Sequence, residues 1–224
     1  MAGAKRRYDQ SCGAAHALDI LGERWAILVV RELLLGPKRF ADIRAGLPGV
    51  SANVLSQRLD GLEESGVLTK RMLPPPASVS VYELTPWGYR AEPIVQALAA
   101  WGATAPGFTL SRPMSPTTLM LSFRGLFDPA RGGKERARVG FRLGSEEFLV
   151  LLDSGTLTLE RGDPTSADVV FEGLPNQIAQ AVYDRADLKS IKIEGDVALA
   201  ERFIAYFPPP ARAARAKVVE AAPG

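Results

Sequence analysis

The sequence predicts an α+β chain of two units, and three observations predict it. Apolar residues recur at helical spacing through the first hundred residues. A Pro/Gly/Ser-rich stretch, Pro106-Gly107 to Pro116, then breaks the pattern. Beyond it the spacing falls largely to the period of two that marks strands. With 224 residues and 46% hydrophobic residues there is material for a core on each side of the break. The expected boundaries are 1–106 for the first domain, 107–116 for a linker, 117–208 for the second domain and 209–224 for an alanine-rich tail.

Each element follows from local signals. Ala14 to Leu21 reads as a short helix ending near Gly22. Trp25 to Leu35 is a second, apolar helix stopped by Gly36-Pro37. Phe40 to Leu47 is a third, closed by Pro48-Gly49. Ser51 is a good N-cap for a fourth, which runs to about Ser65 and places Leu55, Leu59 and Leu62 on one face. Val67–Leu73 and Val79–Leu84 read as two strands around a Pro74-Pro75-Pro76 loop that cannot continue a ladder. Thr85 and Pro86 start a fifth helix, with Ile94, Leu98 and Trp101 on one stripe. After the linker, strands are expected at Arg138–Leu143, Glu147–Leu152, Thr156–Glu160 and Asp168–Phe171, with Asp153-Ser154-Gly155 as a hairpin turn. A helix follows Pro175, then a strand at Lys189–Ile193 and a last helix with Ala200, Phe203, Ile204 and Phe207 on one face. The second domain is therefore expected to be α+β, with a mainly antiparallel sheet and flanking helices.

Composition excludes several function classes. No apolar run reaches the ~18 residues of a membrane span, so no membrane partner is expected. The opening Met1–Arg7 carries charges with no apolar stretch behind them, unlike a secretory signal, and a cytoplasmic location is expected. A single cysteine, Cys12, rules out an internal disulfide framework. A single histidine, His16, leaves little for a metal site or for histidine-based acid–base catalysis, so neither an enzyme nor a cofactor is expected. Residues 1–106 hold 12 Lys+Arg against 10 Asp+Glu, and the remainder balances. What matters for a polyanion is where the cations fall.

Helix pair, Gly/Pro turn, polar-fronted helix, hairpin, capped helix is the order of a winged helix-turn-helix. In that motif the second helix presents its N-terminal half to the major groove. Opposite the leucines of the fourth helix stand Asn53, Ser56 and Gln57, and amide side chains can pair bidentately with adenine. Ser51 opens this helix and Arg58 flanks its polar face. Lys38 and Arg39 open the third helix as an expected phosphate clamp. Lys70 and Arg71 lie in the first wing strand, and Lys5-Arg6-Arg7 form a basic arm. Double-stranded DNA is thus the expected partner.

These residues also carry a family resemblance. Ser11-Cys12-Gly13, Ala17 to Trp25, Leu28 to Leu33, Gly36-Pro37-Lys38-Arg39-Phe40, Leu47-Pro48-Gly49-Val50-Ser51, Asn53 to Leu59 and Tyr82-Glu83-Leu84-Thr85-Pro86-Trp87-Gly88 resemble HxlR-type regulators over residues 11 to about 102. The resemblance implies a homodimer on palindromic operators, with contacts from the first and last helices of the domain. That places Leu18, Leu21, Leu98 and Trp101 near the interface. It also brings Cys12 forward as a possible oxidant sensor, against the plainer reading of a small residue at a dimer-proximal helix start. Without a second cysteine a switch would need an intermolecular Cys12 pair or a reversible cap.

The second domain resembles sterol-carrier-protein-type domains in Ala167-Asp168-Val169-Val170-Phe171-Glu172-Gly173, in the helix with Ile178, and in Lys192-Ile193-Glu194-Gly195-Asp196 before Ala198-Leu199-Ala200. This resemblance implies binding of a hydrophobic effector, with Phe123, Phe141, Phe148, Leu152, Phe203 and Phe207 as the expected pocket. The same residues would equally serve as a plain core. The function expected from the whole is a transcription regulator acting as a repressor. The alternatives are a lipid or small-molecule carrier that keeps the helix-turn-helix only for dimerisation, and a redox-sensing regulator.

Overall fold

The computed structural model describes residues 8–211, so the basic arm Lys5-Arg6-Arg7 and most of the expected tail lie outside the described residues. Four helices open the chain: α1 (Gly13–Leu21), α2 (Ala26–Leu33), α3 (Phe40–Ala45) and α4 (Ala52–Glu64). Strands β1 (Leu68–Met72) and β2 (Ser80–Leu84) pair antiparallel as the wing. The four-helix-and-hairpin reading agrees with this order to within a few residues at each end. Ser51 caps α4 as its sequence position implies, its Oγ accepting from the Val54 N–H at 3.3 Å. Leu55, Leu59 and Leu62 point into the core, 2% exposed or less, each burial stabilising by about 1.5–3 kcal/mol.

The expected fifth helix is two: α5 (Pro86–Tyr89) and α6 (Glu92–Ala103). Pro93 has no N–H for a continuing helix, so the chain restarts with that proline in the first turn of α6. Gly88 allows α5 to lie against the start of the wing, since a Cβ there would stand 2.0 Å from the Val67 carbonyl oxygen.

A helix that the sequence reading left out follows the Pro/Gly/Ser-rich stretch. Ser115 caps a helix, α7 (Pro116–Leu126), with Pro116 at its first position. A short α8 (Pro129–Gly132) follows. The sheet contains β3 (Arg136–Leu143), β4 (Glu146–Asp153), β5 (Thr156–Arg161), β6 (Val169–Glu172) and β7 (Lys192–Gly195), ordered β5-β4-β3-β6-β7. Helices α9 (Pro175–Tyr183) and α10 (Val197–Ala205) join α7 over its apolar face. The hairpin turn between β4 and β5 uses positive φ at Ser154 and Gly155, 50° and 85°.

The sheet is mixed rather than antiparallel. β6 does not fold back on β5. The chain crosses over through Pro164–Ser166 and lays β6 parallel to β3, Val139 opposite Val169. A crossover of this kind is what makes a parallel pair possible. Gly140 accommodates it, because a Cβ there would stand 2.5 Å from the Pro164 Cβ.

The six expected pocket residues prove to be core. Phe123, Phe141, Phe148, Phe203 and Phe207 are fully buried and Leu152 is 4% exposed. Phe123 stands 4.8 Å from Phe207 and 5.3 Å from Phe141, ring centre to ring centre, and Phe141 stacks on Phe171 at 5.3 Å. Rings at these separations fill the space between sheet and helices with each other.

Candidate nucleic-acid interface

The polar front of α4 stands where its period puts it. With Leu55 and Leu59 inward, Asn53, Ser56 and Gln57 are exposed on the outer face, one turn apart. Ser51 is exposed too, but its hydroxyl oxygen is engaged as the cap. Arg58 is bound back to the protein: its Nε donates to the Arg24 carbonyl at 3.1 Å and its Nη2 lies 3.2 Å from Glu23. It reaches a phosphate only by leaving both.

The wing is exposed but its cations are partly satisfied. Arg71 is paired with Glu83 across the hairpin, which raises the Arg71 pKa. Lys70 lies over the Tyr82 ring, 5.5 Å from its centre. Both side chains stay at the surface, where such contacts exchange readily for phosphate.

The basic pair before α3 splits. Arg39 is exposed and makes no ion pair among the described residues. Lys38 is buried, 4% exposed, and cannot touch a phosphate as expected from sequence. The reason is backbone geometry. Lys38 bridges Tyr82 through two backbone hydrogen bonds, 3.0 and 2.8 Å, so residue 38 adds to the wing in extended conformation. Successive side chains of extended backbone face opposite sides, so Arg39 turns out and Lys38 turns in.

Inside, Lys38 joins a cluster that sequence reasoning missed. Its Nζ lies 3.0 Å from Glu32, 3.3 Å from Glu146 and donates to Thr117 Oγ1 at 2.9 Å. Glu32, fully buried, also accepts from Ser115 Oγ at 2.6 Å and from Arg31 at 2.8 Å. Arg161 pairs with Glu146 and donates to the Leu35 carbonyl at 3.0 Å, just past the end of α2. Buried charges persist only when paired and hydrogen-bonded in this way. The two units are therefore joined by a charged seam at the end of α2. The one sequence signal was an acid, Glu32, set within the apolar run of α2.

The residues expected at a dimer contact have mixed exposure. Leu18 is 50%, Leu98 49% and Trp101 75% exposed, while Leu21 is half-buried against the first core. Ile94, on the same stripe of α6, is 45% exposed. Cys12 is exposed at the start of α1, and the N–H groups of Ala15 and Ala14 hold its thiol below the ordinary pKa. No helix among the described residues is long and apolar enough to cross a membrane.

Residues 20–106 match the family model described as HxlR-like helix-turn-helix. The HTH-type transcriptional regulator YvaP of Bacillus subtilis (strain 168) is 41% identical over 85 residues, which is 38% of this chain and 79% of YvaP. The HTH-type transcriptional regulator YodB of the same organism is 34% identical over 85 residues, 38% of this chain and 76% of YodB. The solved reduced form of YodB from B. subtilis is 31% identical, covering 42% of this chain and 94% of that one, with a TM-score of 0.38.

Proposed function

The chain belongs to the HxlR-like helix-turn-helix family of transcriptional regulators and is a DNA-binding regulator; from that premise we propose that it acts as a homodimeric repressor on a palindromic operator, released by a small hydrophobic effector. Asn53, Ser56 and Gln57 read base edges in this proposal, and Arg39, Lys70 and Arg71 hold phosphates. The observation that carries it is the exposed amide-bearing front of α4, with Arg39 exposed at the start of α3 and in no ion pair among the described residues. Leu18 of α1 and Leu98 and Trp101 of α6 are large apolar side chains left exposed, and this supports pairing of two copies.

The test is DNA binding by fluorescence anisotropy over a salt series, on duplexes selected by the protein from a random pool. Arg39→Ala lowers affinity for all sequences and reduces the log–log salt slope by about 0.9, one phosphate fewer. Gln57→Ala costs about 1–3 kcal/mol at one or two positions and relaxes base preference there. Wild-type behaviour in both variants, or a monomer by sedimentation equilibrium at micromolar concentration, overturns this reading. A flat salt response would favour a small-molecule carrier instead.

A second reading, oxidant sensing through Cys12, is favoured by its exposure and its lowered pKa. A thiolate is the reactive form. If a Cys12→Ser variant loses DNA affinity on diamide treatment as fully as wild type, that reading is removed.

A further inference from the structure

Between the two units lies a cavity of about 580 Å³, within the range of pockets that take drug-sized molecules. Val95 and Ala99 of α6 form an apolar wall, and Thr118 and Ser122 of α7 contribute hydroxyls. The turn before α4 reaches the same space through Leu47 and Pro48.

The polar chemistry of this cavity is one-sided. Ser122 Oγ donates to the Leu119 carbonyl at 2.6 Å, so the Tyr183 hydroxyl, 2.8 Å away, donates to Ser122. Burial keeps that phenol neutral by raising its pKa. Ser115 likewise donates to Glu32, so Thr118, 2.8 Å from it, donates to Ser115. The protons of these four hydroxyls, on Ser115, Thr118, Ser122 and Tyr183, are therefore spent within the protein.

The charges are not balanced. In the seam, the cations Arg31, Lys38 and Arg161 face the two acids Glu32 and Glu146, and Arg31 is the member that lines the cavity. Its Nε and Nη2 are committed to Glu32, while Nη1 has no hydrogen-bond partner among the described residues. Arg112, also on the wall, has no ion-pair partner among the described residues. Asp184, the acidic residue of the lining, is already engaged.

We propose that this cavity binds a small carboxylic acid, with its apolar body against Val95, Ala99 and Leu47 and its carboxylate between Arg31 and Arg112. The proposal rests on the regulator reading and gives its effector a place and a chemical class. Arg31 Nη2 also lies 3.5 Å from the Gly46 carbonyl, at the root of the turn into α4. An acid that draws the guanidinium toward itself acts on that turn, and shifts DNA affinity if it binds one setting of α4 better than another.

The experiment is calorimetric titration of the full chain with 2-naphthoate, 4-phenylbutyrate and decanoate, each paired with its primary amide. At least one acid is expected to bind one per chain, about tenfold tighter than its amide. Arg31 also holds Glu32, so its substitution endangers the fold. Arg112→Gln and Gly125→Phe carry the test. Arg112→Gln brings acid and amide within about twofold. Gly125 lines the cavity and its position accepts a Cβ, the nearest atom standing at 3.8 Å, so the phenylalanine blocks acid and amide alike. The proposal is overturned if no acid binds the wild type, if acid and amide bind equally, or if Gly125→Phe binds as the wild type does. The same samples are read by anisotropy with labelled duplex DNA. Acid binding without DNA affinity removes the regulator reading and leaves the cavity assignment standing. Salt-dependent DNA binding without acid binding does the reverse.

Discussion

Two adjacent cations, Lys38 and Arg39, show how much a single residue's direction decides. The outward set Asn53, Ser56 and Gln57 was legible because it is fixed locally, by the turn of one helix against its own leucines. The sidedness of Lys38 was not legible, because it depends on a backbone bridge to Tyr82, far away in sequence. Gly46 is a similar case. It reads as an ordinary turn glycine, yet its φ is −73° and any residue could adopt it. What requires glycine is Glu32, whose Oε2 would stand 2.4 Å from an added Cβ. That carboxylate is held by Arg31, Lys38 and Ser115, so it cannot swing aside. Gly46→Ala is therefore expected to destabilise the fold by about 1–3 kcal/mol, the usual cost of overpacking. Urea denaturation measures it, and a midpoint equal to wild type would contradict the tightness of this contact.

At the level of elements, most helices and hairpins follow from signals that lie within a dozen residues. The Ser51 cap, the Thr85-Pro86 start and the Ser154-Gly155 turn each declare themselves locally. Helix α7 was lost because Ser115-Pro116, a cap and first-turn pair, ends a stretch whose composition reads as linker. The parallel place of β6 was lost because the antiparallel expectation assumes each strand returns on its neighbour. Helix α10 is tied to the start of β3 by Glu135, which accepts from Arg202 at 3.1 Å and from the Tyr206 hydroxyl. Arg202 first, then Tyr206, hold the Glu135 carboxyl below its ordinary pKa. A carboxyl depressed in the folded state adds stability above its unfolded value and loses it as pH falls through the folded one. Glu135→Gln is expected to be less stable than wild type near neutrality, and to lose less on acidification below about pH 4.3, the usual glutamate value. Thermal unfolding across pH checks it; parallel curves for the two proteins would refute the link.

Over the whole molecule, the charged seam makes one body of two cores. Leu121 of α7 packs into the first core, Leu35 packs against both, and Arg124 pairs with Glu92 at 2.8 Å beside the cavity. A single cooperative unfolding transition is expected by calorimetry and by fluorescence alike. Lys38→Met leaves Glu32 with Arg31 and Glu146 with Arg161. It should cost about 3 kcal/mol, the lower end for a broken buried pair, and should separate the transition into two. Its DNA salt slope should match wild type, unlike that of Arg39→Ala. A single transition in Lys38→Met would show that the apolar contacts alone couple the units. The seam also sets an order of assembly. Lys38 takes its partners from positions 79 and 108 residues further along the chain. Until those residues are made, the lysine has only Glu32 to draw on among these partners. Maturation of the protein then closes on the stripping of water from one ammonium group, as the later half arrives to replace it.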